Sequence, residues 1–204
     1  SIIYQRTKAM KICLFGGTFD PPHIGHLLIA QTICEVENFD KILFIPAYTP
    51  SHKNDITPVN HRIEMVKIAI NDNPNFEYSD VDILRNGISY TIDSIIDIKQ
   101  KFGLKEEEIY YLMGSDSLID LKNWKDPKKI LKECNVIVAI RPGFRPSDIP
   151  NWILQKVHFA NIPRFELSST KIRSRWKKDL TIRYMVTLPI WEYINKNNLY
   201  SVKG

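Results

Sequence analysis

An apolar run, Ile12-Cys13-Leu14-Phe15, stops at Gly16-Gly17, and a second apolar run begins at Leu27. Between them lie Thr18-Phe19-Asp20-Pro21-Pro22-His23-Ile24-Gly25-His26. A short apolar run broken by glycines, then an apolar segment of helical spacing, reads as strand, turn and helix. That corner commits the chain to a βα unit, whose strand is buried in a sheet beneath its helix. The glycines allow backbone N–H groups to approach a ligand with no Cβ in the way. The helix start adds a partial positive charge, so an anion is favoured there.

The rest of the chain repeats the alternation. Strands are expected at residues 11–15, 41–46, 109–113, 136–140 and 157–160. Shorter strands are expected at 76–79 and 81–84. Helices are expected at 23–36, around Ile63, Val66 and Ile70, from Ile92 to near Gly103, and at 127–134, 169–177 and 189–197. Residues 47–60 read as a polar loop. The runs at 109–113 and 136–140 are almost wholly apolar, as strands buried on both faces require. The expectation is an α/β fold: a doubly wound, Rossmann-like parallel sheet with helices on both faces and a C-terminal helical tail packed against it. In such sheets ligands sit at the carboxyl ends of strands where the strand order reverses. Phe15-Gly16, Met113-Gly114 and Ile140-Arg141 are three such ends.

The chain has 204 residues, enough for one domain with a full core. Residues 1–9 are read as an extension and 10–204 as a single domain. No segment approaches the ~20 apolar residues that cross a bilayer. The net charge of +5 suits anionic partners but is too mild to demand nucleic acid. The three cysteines, Cys13, Cys34 and Cys134, are far apart and each lies in an apolar context. They are expected to be buried thiols, which points to a reducing cytoplasm.

Five constellations bear on chemistry. His23 and His26 are neighbours at the helix entry; alone, the pair fits phosphate contacts, helix capping or a metal pair. Asp20 is expected to brace the turn. Ser168-Ser169-Thr170-Lys171-Ile172-Arg173 combines cap residues with a guanidinium, which fits a plain helix cap or an anion cradle. Gly114-Ser115-Asp116 follows a strand, with Trp124 downstream. Ser89-Tyr90-Thr91 opens a helix, and Pro50-Ser51-His52-Lys53 is a loop.

Residues 16–26 resemble the signature of the nucleotidyltransferases that carry an HxGH element, above all the bacterial nicotinate or nicotinamide mononucleotide adenylyltransferases. Residues 168–173 are similar to that family's second motif, and the likeness runs from Met10 to Tyr200. The chain departs from it at Ser51, at Ser94 and at Asp179-Leu180, where the family has proline, threonine and glycine. The resemblance implies adenylyl transfer from ATP, carried with Mg²⁺, to nicotinate mononucleotide, and the bacterial branch usually prefers this acid to the amide. It implies that His23, His26 and Arg173 are catalytic, and that Gly16, Gly17, Thr18, Phe19, Gly114, Asp116, Arg141, Ser169 and Thr170 complete the ATP site. It assigns Thr18, Lys53, Tyr90, Thr91 and Trp124 to the mononucleotide. No protein-held metal, nucleic acid or membrane is implied; a homo-oligomer is compatible with it. The front motif also fits pantetheine-phosphate adenylyltransferases and cytidylyltransferases. A nucleotide sensor or RNA-binding module that kept the fold without the reaction is the reading from another class.

Overall fold

In the computed structural model the described residues are 10–51, 55–160, 162 and 166–201. The expected extension at 1–9 and the residues His52 and Lys53 lie outside them. In chain order the elements are β1 (Ile12–Gly17), α1 (Ile24–Val36), β2 (Lys41–Pro46), β3 (Thr49–Pro50), α2 (Val59–Ile70) and β4 (Phe76–Tyr78). Next come α3 (Val81–Arg85), β5 (Ile88–Ser89), α4 (Thr91–Phe102), β6 (Ile109–Gly114), α5 (Ser115–Asp120), α6 (Pro127–Glu133) and β7 (Asn135–Ala139). The chain continues through α7 (Asn151–Leu154), β8 (Val157–Ala160), α8 (Ser169–Trp176) and α9 (Leu188–Lys196).

Six strands form one parallel sheet in the order β4-β2-β1-β6-β7-β8. The chain winds outward from β1 to one edge, returns to β6 and winds to the other edge. The order therefore reverses between β1 and β6, which is where a crevice opens at the strand ends. Strand alternation sends Cys13 and Phe15 to one face and Ile12 and Leu14 to the other. The first face is covered by α1, α2, α8 and α9 through Ile33, Val66, Ile172 and Ile190. The second is covered by α4 to α7 through Ile95, Leu118, Ile130 and Ile153. The C-terminal tail thus completes the first core. All three cysteines are buried and free.

Two expectations fail. Residues 81–84 are helical, not a strand. Val81 packs into the second core, Arg85 pairs with Asp82 at 2.7 Å, and Asp82 accepts from Ser94 of α4. This polar network holds a turn of helix where Val-Asp-Ile alternation suggested extension. The loop at 47–60 also contains β3, which pairs in parallel with β5 at the crevice mouth.

Candidate active site

A cleft of about 600 Å³ lies at the carboxyl ends of β1, β6 and β7. The two sequence segments farthest apart in the expected site meet across it. In the β1–α1 corner, Asp20 and Pro21 turn their carbonyls toward α8. Arg173 Nη1 donates to the Asp20 carbonyl at 2.7 Å, and Ser169 Oγ donates to that of Pro21 at 2.8 Å. Ser168, not Ser169, is the N-cap of α8, accepting from Lys171 N–H at 3.2 Å. Capping by Ser168 leaves the Ser169 hydroxyl to join the two walls.

His23 is the N-cap of α1 and lies almost fully buried. Its Nδ1 accepts from His26 N–H at 3.3 Å, and His26 Nδ1 accepts from His23 N–H at 3.1 Å. The rings stack with centroids 3.6 Å apart. A Cβ on Gly25 would lie 3.0 Å from His23 Nδ1, so any other residue there would have to displace that ring from its place against the turn. An Nδ1 that accepts carries no proton, so a neutral ring must hold its proton on Nε2. Burial first, and the Arg141 charge second, push the His23 pKa down to about 4. His23 is therefore a neutral Nε2–H donor at neutral pH.

Every ATP-side residue named above borders this cleft: Gly16, Gly17, Thr18 and Phe19 on the corner, and Gly114, Asp116 and Arg141 opposite, with Ser169, Thr170 and Arg173 on α8. Phe19 is buried, its ring edge-on to His26 at 5.1 Å, so it supports the imidazole from below. Arg141 pairs with Asp116 at 3.0 Å, and its backbone N–H donates to the buried Ser115 hydroxyl. On the mononucleotide side, Thr18, Thr91 and Trp124 border the cleft, whereas Tyr90 does not. Tyr90 packs on the second core with the Lys125 ammonium 4.7 Å over its ring. Its neighbours take other parts: Ser89 Oγ accepts from Tyr48 N–H, and Thr91 Oγ1 meets Tyr111 Oη at 3.3 Å. Neither caps α4. Ser94 donates to Asp82, so its hydroxyl is engaged where the related family has threonine.

Arg62, Tyr111 and Tyr200 are not among the site residues expected from the sequence. Arg62 is wholly buried and donates to four carbonyls, those of Thr18, Ala47, Tyr48 and Thr57. Its place was readable: with Met65, Val66, Ala69 and Ile70 it completes the buried stripe of α2. Tyr111 borders the cleft beneath Gly16, and burial pushes its phenol up to about 12. Tyr200 reaches the site from the tail with no local sequence signal. Among the described residues no group of three His, Cys, Asp or Glu side chains is placed to hold a metal ion.

A glycine corner, paired imidazoles and a distant basic helix start on one cleft define a nucleotidyltransferase, and the chain belongs to the cytidylyltransferase-like family, which matches residues 14–175. Within it the similarity is to nicotinate-nucleotide adenylyltransferases. That of Bacillus subtilis is 38% identical over 192 residues, spanning 93% of this chain and 98% of the relative. A probable one from Exiguobacterium sibiricum is 40% identical over 193 residues, spanning 94% and 100%. The fold matches Plasmodium falciparum nicotinic acid mononucleotide adenylyltransferase complexed with NaAD, with a TM-score of 0.78, 24% identity and coverage of 94% and 97%.

Proposed function

We propose that the chain transfers the adenylyl group of ATP to nicotinate mononucleotide, giving deamido-NAD and pyrophosphate as a step of NAD biosynthesis. The observation that carries this reading is the meeting of the His23–His26 pair with the start of α8 across one cleft. The relatives named above support the choice of substrates.

A 5′-phosphate oxygen of the mononucleotide attacks the α-phosphorus of ATP in line, and pyrophosphate leaves. That oxygen is already ionised at neutral pH, so the protein supplies neither nucleophile nor base. Its work is alignment and charge stabilisation. His23 and His26 donate Nε2–H to triphosphate oxygens. Arg173 has five N–H groups, two of them engaged by Asp20 and Thr170; the others face the β- and γ-phosphates, with Ser169 and Thr170 beside them. Mg²⁺ enters as part of the substrate MgATP, neutralising the triphosphate. Arg141 and Asp116 hold the adenosine side. Thr91 and Trp124 take the pyridine end, where an indole face attracts a pyridinium ring, and Lys53 meets the mononucleotide phosphate. A cytoplasmic place belongs to the same reading.

The test is pyrophosphate release from MgATP with nicotinate mononucleotide, nicotinamide mononucleotide and phosphopantetheine offered in parallel. The reading expects release with the first at the highest kcat/KM. Release only with phosphopantetheine, or with none, sinks it.

A further inference from the structure

Asp20 is 2% exposed, yet it sits in the corner that the triphosphate must touch. Its carboxylate is held from two directions. Oδ2 accepts from Thr57 N–H at 3.2 Å, and Oδ1 accepts from Tyr200 Oη–H at 2.7 Å. Its carbonyl takes Arg173 Nη1. Arg62 is close enough for the Asp20 charge to raise the guanidinium's pKa against the effect of burial. Tyr200 is thus the tail's link to the residue that orients Arg173, from 180 positions away. Burial, and then the Asp20 carboxylate, raise the phenol's pKa well above its ordinary value. The hydroxyl is therefore a permanent donor and never a rival anion. Its ring packs on the first core, so the donor is carried by a rigid body.

We propose that Tyr200 is a positioning residue of adenylyl transfer: through Asp20 it sets the guanidinium of Arg173 against the triphosphate. This rests on the function proposed above, and it places the C-terminal segment in the ATP site without any contact with substrate. A buried carboxylate that loses a donor turns toward those that remain, Thr57 N–H and Arg62. The Asp20 backbone follows, and the Arg173 fork loses its carbonyl rest. A misalignment of this kind acts on ATP and leaves the mononucleotide end untouched.

The test compares the full chain with Tyr200→Phe, Arg173→Lys and the double variant. Calorimetric titration with a non-hydrolysable MgATP analogue is read beside steady-state kinetics. Tyr200→Phe is expected to weaken analogue binding about tenfold, within the coupling found inside one hydrogen-bond network, with KM for the mononucleotide unchanged. In the double variant the two losses are expected to overlap rather than multiply. Two results overturn the proposal: unchanged analogue affinity in Tyr200→Phe, or fully multiplicative losses in the double variant. Because analogue binding needs no acceptor, it decides the question even if another phosphate ester proves to be the acceptor. If Tyr200→Phe unfolds, Asp20→Asn, whose single amide oxygen can accept from only one of the two donors, Thr57 N–H and Tyr200 Oη–H, takes its place in the same cycle with the same two criteria.

Discussion

His23 and His26 cap one another: each Nδ1 accepts the backbone N–H of the other residue, and the two rings stack 3.6 Å apart. Helix capping and phosphate binding are rival readings of two histidines in a sequence. In the fold the first is what the rings do, and the proposed phosphate contacts are compatible with it. The Nδ1 atoms do the capping, which fixes both rings and directs the protons to Nε2. A cap of aspartate would satisfy the helix equally well and, being acceptor-only when ionised, present no donor to the cleft.

Loss of either ring should therefore cost turnover more than stability. His26→Ala should lower kcat by at least about a hundredfold, the range for removing one preorganised donor from a site of developing charge. Thermal unfolding by circular dichroism should still show a cooperative transition. A kcat within a few-fold of the parent would remove His26 from the reaction.

Acid should weaken the fold through His23. Its ordinary pKa is 6.5, and in the folded protein it is about 4. Between these values the unfolded chain takes up a proton that the folded chain refuses. Stability is therefore flat above 6.5 and falls as the pH drops toward 4. The depressed value corresponds to roughly 3 kcal/mol. His23→Asn retains an acceptor for His26 N–H and cannot titrate, so its urea-unfolding free energy should vary less across this range. Equal slopes for both proteins would show that His23 titrates over the same pH range folded and unfolded.

Gly16 is needed for space. A Cβ there would lie 2.7 Å from Tyr111 Oη, a phenol already enclosed by β1 and α4. Gly16→Ala should destabilise by about 1–3 kcal/mol, as overpacking does. Tyr111→Phe removes the offending oxygen, so the double variant should regain more than half of that loss in chemical denaturation. If the second change brings no recovery, the clash is not the cause.

The alternating architecture was legible because β1, β2, β6 and β7 are continuous apolar runs and α4 ends on Gly103, whose φ of 59° favours glycine. The site was legible where its residues are contiguous, at 16–26 and 168–173. It was illegible where the corner is held by long-range pairing. Nothing near Tyr200 in the chain signals Asp20, and the contact of Tyr90 with the Lys125 ammonium joins residues far apart in the chain. The α3 segment misled because four residues, 81–84, cannot separate a two-residue period from a 3.6-residue one. Its helix is decided by Ser94 and Arg85 closing on Asp82.

Arg62 joins the two halves of the corner. Its guanidinium gathers carbonyls from the turn after β1, from the segment after β2 and from the approach to α2. Arg62→Met fills a similar length with an apolar chain but leaves those four carbonyls without their donor in a buried place. It also removes a positive charge that interacts with buried Asp20. The cost should be on the order of 3 kcal/mol or more, typical of stranding a buried partner. Arg62→Lys should fare little better, since one ammonium has three protons and no planar fork. Urea denaturation checks both, and Thr18 makes a second readout available. Because its carbonyl is one of the four, a shifted corner should raise KM for both substrates, unlike Tyr200→Phe, which should touch ATP alone. If Arg62→Met were as stable as the parent, the four hydrogen bonds would be replaceable by packing, and the corner would owe its shape to the glycines and Asp20.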